Sequence, residues 1–281
     1  MTIAFIGLGA MGWPMAGHLN DAGHDLLLYT RRDDAMAHLA QLGQVTRDLG
    51  ECAQAEIIIL NVTGTDDVLG LVRELAQTLK PGNLVIDHST IDPAGARVAA
   101  GLIRDAGGEF VDAPVSGGEK GAIAGNLVSM VGGQADAVAR AASIFSAYVQ
   151  SHQHMGEAGA GQVAKLCNQI AQVINIQGIC EAMRFADQHG VDKGQVLTAI
   201  QGGMAASAML DLMGPKIASG DFSAGIQSRL HAKDLNIAQD SAGENSPALR
   251  ATVAQLNALM DAGMGMDDTS SLYRLLGEDH G

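Results

Sequence analysis

One segment limits what this chain can fold into more than any other. Gly7-Leu8-Gly9-Ala10-Met11-Gly12 directly follows the apolar run Thr2–Ile6 and opens a helical pattern from Met11 to Asp21. A G-x-G-x-x-G spacing carries little weight alone in a chain with 36 glycines among 281 residues, and an ordinary strand–helix turn is the alternative. Between a strand and a helix the spacing says much more. Gly7 allows the tight turn, Gly9 lets the backbone approach a pyrophosphate, and Gly12 lets helix and strand pack closely. Leu8, Ala10 and Met11 complete the loop. An anion would then rest on the helix N-terminus, where N–H groups and the macrodipole favour negative charge.

The surroundings fit a dinucleotide-type sheet. Apolar runs readable as strands recur at Thr2–Ile6, Leu26–Thr30, Ile57–Val62, Leu84–Asp87, Glu109–Ala113 and Leu127–Val131. Helical stretches such as Asp66–Leu79 and Pro93–Ala106 separate them, the second with Pro93 in its first turn and Asp92 as its cap. Nearly continuous apolar strands alternating with helices predict a parallel sheet covered on both faces. After Gly161 the strand signal stops. Gln162–His189 reads as one helix closed by Gly190, about 42 Å long at 1.5 Å per residue. Further helices are punctuated by Gly202-Gly203, Gly214-Pro215 and Ser246-Pro247. The expected class is α/β: a Rossmann-type doubly wound sheet over 1–160, then an all-α part over 161–281, joined by the long helix.

The end of the second strand bears on which dinucleotide binds. A site for NAD places Asp or Glu there to hold the ribose 2′-hydroxyl. Here Leu26-Leu27-Leu28-Tyr29-Thr30 runs into Arg31-Arg32 with no carboxylate. Guanidinium forks suit a 2′-phosphate, so Thr30, Arg31 and Arg32 point to NADP over NAD; a solvated arginine pair is the alternative. Asp33 and Asp34 are read as caps of the next helix. A formal charge of −14 with no basic run excludes nucleic acid and anionic membrane surfaces as expected partners. No stretch approaches the ~18 apolar residues of a membrane span. Cys52, Cys167 and Cys180 lack metal or redox spacing. With no export signal at the N-terminus, the expectation is buried or half-buried thiols in a cytoplasmic protein.

Three segments carry candidate chemistry. Asp112-Ala113-Pro114-Val115-Ser116-Gly117-Gly118 follows a strand, so its N–H groups can cradle a carboxylate. Lys165, Asn168, Gln169 and Gln172 fall at i, i+3, i+4 and i+7 of the long helix, a polar stripe that suggests a cleft. Lys233-Asp234-Leu235 opens a later helix.

With these segments in order, the chain resembles the β-hydroxyacid dehydrogenase family, which includes 3-hydroxyisobutyrate dehydrogenases, tartronate semialdehyde reductases, and reductases of glyoxylate and succinic semialdehyde. The resemblance covers essentially the whole length. It rests on Gly7-Leu8-Gly9-x-Met11-Gly12-x-Pro14-Met15-Ala16, Asp87-x-Ser89-Thr90-x-x-Pro93, Ser116-Gly117-Gly118, Gly161-x-x-x-Lys165-x-x-Asn168 and Lys233-Asp234-Leu235. It implies Lys165 as catalytic acid/base, and Ser116, Gly117, Gly118 and Asn168 at a small carboxylate-bearing substrate. It also implies Val62, Thr63 and Thr90 at the dinucleotide, with a helix cap as the lesser alternative for Thr90. Lys233 would lie near the nicotinamide or the substrate carboxylate, where a second cation would lower the pKa of Lys165. A homodimer or homotetramer is implied, and no metal, since hydride transfer to a nicotinamide needs none.

The departures are Gln169 where relatives carry a second Asn, His231 where many carry an apolar residue, and His88 between Asp87 and Ser89. His152 and His154 form a His-x-His without a third ligand candidate and are read as strand or loop residues. Two alternatives share the architecture: an imine reductase, which typically replaces the lysine with another proton donor, and a non-catalytic NADP-binding regulatory protein.

Overall fold

The computed structural model describes residues 1–242 and 245–275, in two compact units, Met1–Lys165 and Leu166–Gly281. The first unit runs β1 (Thr2–Ile6), α1 (Gly12–Asp21), β2 (Asp25–Tyr29), α2 (Met36–Leu39), β3 (Gln44–Thr46), α3 (Leu49–Cys52), β4 (Ile57–Leu60) and α4 (Thr65–Leu75). It continues β5 (Leu84–Asp87), α5 (Pro93–Asp105), β6 (Glu109–Asp112), β7 (Val115–Ser116), α6 (Gly118–Ala124), β8 (Leu127–Gly132), α7 (Ala135–Phe145) and β9 (Val149–Gly156).

The sheet order is β3-β2-β1-β4-β5-β6-β8-β7, with β9 paired to β8. The β1–β6 portion is parallel, and β8 runs antiparallel to β6 and β7. This is the doubly wound arrangement, with strand order reversing at β1. Side chains alternate between two cores because successive residues of a strand face opposite ways. Ile3, Phe5, Leu28, Ile57 and Ile59 pack into one cluster, and Ala4, Ile6, Ile58, Leu60 and Val85 into the other. Asp92 caps α5 as its sequence suggests, accepting from the Gly95 N–H at 3.1 Å, with Pro93 in the first turn.

The helix α8 (Ala160–Gln188) runs through the boundary between the units. It ends in a Schellman motif: Gly190 at φ +68° donates to Asp187 O, and Val191 N–H donates to Ala186 O. The second unit continues with α9 (Lys193–Gln201), α10 (Ala208–Ser219), α11 (Ser228–Ala242), α12 (Pro247–Asp261) and α13 (Leu272–Leu275) around its own apolar cluster.

Three readings are corrected. The strands β3, β7 and β9 escape the apolar-run criterion: β3 and β7 are short, and β9 is an edge strand whose residues are mostly exposed. Gly214-Pro215 does not break a helix but lies inside α10. The glycine is there for close packing, since a Cβ at Gly214 would lie 2.4 Å from Leu197 Cδ1. Finally, Asp33 and Asp34 cap nothing; they sit in a short 3₁₀ turn and pair with arginines.

Candidate functional site

The glycine loop lies where strand order reverses, at the carboxyl end of β1 between β2 and β4. Its glycines have distinct roles. Gly7 has φ +100°, and a Cβ there would stand 2.1 Å from Asn61 O in the loop after β4. A Cβ on Gly12 would meet Gly7 O at 2.0 Å. Gly9 is exposed, and its Cβ position has nothing within 4 Å. The first and third glycines therefore satisfy the fold itself, while the second faces open space that a bound group can enter. No side chain caps α1. A cradle of bare backbone facing open space at a helix N-terminus fits a pyrophosphate.

At the end of β2, Thr30 is buried and its Oγ1 accepts from Arg32 N–H at 3.1 Å. The Arg32 guanidinium engages both oxygens of Asp34, and Arg47 pairs with Asp33. No carboxylate occupies the strand end itself, and Arg31 and Arg32 are exposed there.

The loops after β4 and β5 are tied together, with Val62 N–H donating to Ser89 Oγ at 2.9 Å. Thr90 is half-buried and Thr63 exposed. Asp112, at the end of β6, is fully buried and accepts Gly159 N–H on Oδ1 at 2.7 Å and Gln162 N–H on Oδ2 at 2.9 Å. Burial pushes its carboxyl up to about 6, with the N–H donors opposing the rise. Lys165 is 7% exposed, one turn beyond Gln162 on α8.

The Ser116-Gly117-Gly118 segment is more ordered than an open loop. Val115 and Ser116 pair with β8 as β7, then Gly117 (φ +132°) and Gly118 (φ +62°) turn the chain into α6. His88, just past the end of β5, is buried. Its Nδ1 is 2.6 Å from Ala113 O, a carbonyl that can only accept, so Nδ1 carries the proton. Nε2 then accepts from Tyr148 Oη at 2.8 Å. Burial holds His88 down at about 4, so the ring is neutral, and raises the Tyr148 phenol.

In the second unit, Asn168 Nδ2 donates to Gln169 Oε1 at 3.0 Å and lies 3.4 Å from Gln172 Oε1. Gln169 Nε2 donates to Asp234 Oδ2 at 2.7 Å, and Lys233 pairs with Asp234 Oδ1 at 3.0 Å. Two of the residues that depart from the family pattern thus have structural partners here: Gln169 holds Asp234, and His231 Nδ1 is 2.8 Å from Thr269 Oγ1. All three cysteines are free. Burial pushes the Cys52 and Cys180 thiols up to about 12, whereas Cys167 is exposed, against the expectation of buried or half-buried thiols. His154, on β9, sets its Nε2 against the carbonyls of Gly133, just past β8, and of Gly156. Among the described residues no group of three or more His, Cys, Asp or Glu could hold a metal, and no helix is long and apolar enough to cross a membrane.

Sequence reasoning did not assign roles to Asp112, Ser89 or Gln162. The available signal was weak: a lone Gln in the small and apolar stretch before Lys165.

Two family models match. Residues 2–156 match the NAD binding domain of 6-phosphogluconate dehydrogenase, and residues 159–276 the NAD-binding model of NADP-dependent 3-hydroxyisobutyrate dehydrogenase. The chain is 36% identical to the 2-hydroxy-3-oxopropionate reductase of Escherichia coli over 86% of its length and 84% of that protein. It is 33% identical to an NAD-dependent L-serine dehydrogenase of Pseudomonas aeruginosa, over 99% of both. A solved structure of 3-hydroxyisobutyrate dehydrogenase with L-serine from Mycobacterium tuberculosis superposes with a TM-score of 0.92 at 31% identity, covering 99% of both chains.

Proposed function

The chain belongs to the β-hydroxyacid dehydrogenase family, and within it we propose an NADP-preferring oxidoreductase that interconverts a small β-hydroxy acid and its semialdehyde. The dinucleotide is assigned to residues 1–160. Gly7 to Gly12 hold its pyrophosphate, Thr30, Arg31 and Arg32 its 2′-phosphate, and Val62, Thr63 and Thr90 flank it. When bound, its nicotinamide supplies a hydride to the substrate carbonyl carbon or takes one from the alcohol carbon.

The remaining chemistry falls to side chains. A carbonyl oxygen gains negative charge as its carbon is reduced, and the Lys165 ammonium donates the proton that neutralises it. In the oxidative direction neutral Lys165 takes that proton back. Ser116, Gly117 and Gly118 hold the substrate carboxylate through N–H and O–H donors, with Asn168 and Lys233 completing its recognition.

The observation that carries this reading is Lys165 itself. A lysine at 7% exposure is rare away from paired or functional positions, and this one stands just past a buried clamp at the sheet's carboxyl edge. The test is NADPH and NADH consumption against tartronate, methylmalonate and succinic semialdehydes and glyoxylate, with Lys165→Ala as control. Turnover should fall to a small residual rate in the variant while NADPH binding persists. An active Lys165→Ala enzyme would refute the assignment.

A further inference from the structure

Whether Lys165 can reach a reacting oxygen depends on how the foot of α8 is held, and two fully buried polar side chains hold it. Gln162 uses both ends of its amide. Oε1 accepts Ile91 N–H at 3.0 Å, and Nε2 donates to Ser89 O at 2.8 Å. Its backbone N–H goes to Asp112 Oδ2, while Asp112 Oδ1 takes Gly159 N–H. Ser89 Oγ in turn accepts Val62 N–H. These hydrogen bonds register the loop after β4, the loop after β5 and the end of β6 against the first turn of α8.

The seat leaves no slack. A Cβ on Gly161 would stand 2.5 Å from Met130 O and 2.8 Å from Asp112 Oδ2, and one on Gly132 would stand 2.5 Å from Asp112 Oδ1. The helix foot thus rests directly on the sheet, through glycines. Gln162 precedes Lys165 by three residues, so both lie on neighbouring positions of one helix face.

We propose that Gln162 and Asp112 are positioning residues for Lys165: they bond the first turn of α8 to the carboxyl ends of β5 and β6 and so fix where the lysine stands relative to the dinucleotide loops. The proposal rests on the reading of Lys165 as the proton donor. An apolar side chain at 162 would fill the same space without burying an amide, so packing alone does not account for a glutamine there. A two-ended amide joining two strand-end loops to the helix sets position as well as volume.

Gln162→Met keeps the length of the side chain and removes both amide bonds. A displacement on the order of 1 Å of a catalytic group costs about 10²-fold. The kcat for tartronate semialdehyde with NADPH should therefore fall by about that factor. The NADPH Kd, read from Trp13 fluorescence, should stay within about threefold. In the Lys165→Ala background the same substitution should change the residual rate by less than about twofold, because a residue acting through the lysine has nothing left to position.

A second readout needs neither substrate nor dinucleotide. Competitive acetylation by acetic anhydride, resolved by mass spectrometry, should show a changed rate and pH profile at Lys165 and unchanged ones at Lys80 and Lys120. If Gln162→Met does not fold, Asp112→Asn takes its place in both measurements. Unaltered kcat with unaltered Lys165 labelling would overturn the proposal, and so would an equal loss of rate in the Lys165→Ala background. If Lys165→Ala alone stays active, the proton-donor reading fails, and the labelling still decides whether the clamp holds the lysine.

Discussion

Two buried groups at the carboxyl edge of the sheet titrate in opposite senses over the same pH window, and the consequence can be worked out. Burial raises Asp112 from its ordinary 3.8 to about 6, so between those values the folded chain holds a proton that the unfolded chain has lost. Stability from this group therefore rises as pH falls through 6, and falls as pH rises. Burial lowers His88 from 6.5 to about 4, so over nearly the same range the unfolded chain holds a proton that the folded chain refuses. Stability from His88 is full above 6.5 and is lost as pH falls toward 4. Each group alone gives a slope of about 1.4 kcal/mol per pH unit and a total of about 3 kcal/mol. Since one slope is negative and the other positive, the pair nearly cancels between pH 4 and 6.

Single substitutions should expose the hidden slopes. Relative to the parent protein, Asp112→Asn should gain a dependence of about +1.4 kcal/mol per pH unit from pH 4 to 6, leaving His88 unopposed. His88→Gln should show the opposite sign, and the double variant should again run parallel to the parent. The assay is urea unfolding at 25 °C across pH 4 to 7, followed by the fluorescence of Trp13, the only tryptophan. That residue stands on α1 in the same unit, stacked on His38 at 3.9 Å. Carboxylates elsewhere contribute equally to all four proteins and drop out of the differences. Variant curves parallel to the parent would refute the argument, because Asp112 and His88 would then titrate alike in folded and unfolded chains.

The other predictions rest on single contacts. Gly9→Ala should leave stability within about 0.5 kcal/mol but weaken NADPH binding at least about tenfold, whereas Gly7→Ala, with φ +100° and Asn61 O in its path, should cost about 2–5 kcal/mol in urea unfolding. Arg31→Ala with Arg32→Ala should reduce kcat/KM with NADPH and spare NADH; an unchanged ratio would remove the 2′-phosphate argument. Gln169→Leu takes a donor from buried Asp234 and should destabilise the helical unit by about 1–3 kcal/mol, visible by calorimetry.

What could be read in the sequence was what is encoded locally. The glycine loop announces itself because backbone conformation and close approach demand glycine at fixed spacing beside a strand and a helix. Strands buried on both faces read as unbroken apolar runs, so Thr2–Ile6 and Leu84–Asp87 emerge with the same bounds in the structure. The exposed strand β9 carries Gln-Ser-His-Gln-His and leaves no such trace. Gly214-Pro215 has the chemistry of a break, but the contact with Leu197 that explains the glycine lies in another helix. The partners of Gln169 and His231 are likewise 65 and 38 residues away. Asp112 and Gln162 are 50 residues apart, and only the register of β6 against the foot of α8 turns them into a clamp. Local rules locate a site; its supports come from the fold.

The distribution of buried polar side chains in the first unit gives those supports their meaning. Among the described residues of that unit they are Thr30, Thr46, Asn83, Asp87, His88, Ser89, Asp112, Ser129, Gln162 and Lys165. Thr30, Thr46, Asp87, His88, Ser89 and Asp112 lie at or just past the carboxyl ends of β2, β3, β5 and β6, and Gln162 and Lys165 stand on the helix bonded to those ends. Asn83 precedes β5 and Ser129 lies within β8. If polar burial served stability, no end of the strands would be favoured, and apolar replacements would often do as well or better. A one-sided concentration, at the edge where parallel sheets place ligands, is what a preorganised site requires, because donors and acceptors there must be held before the reacting atoms arrive. The opposed titrations of Asp112 and His88 fit the same logic: two ionisable groups are kept dry at that edge, and their costs cancel in pH dependence without either being removed.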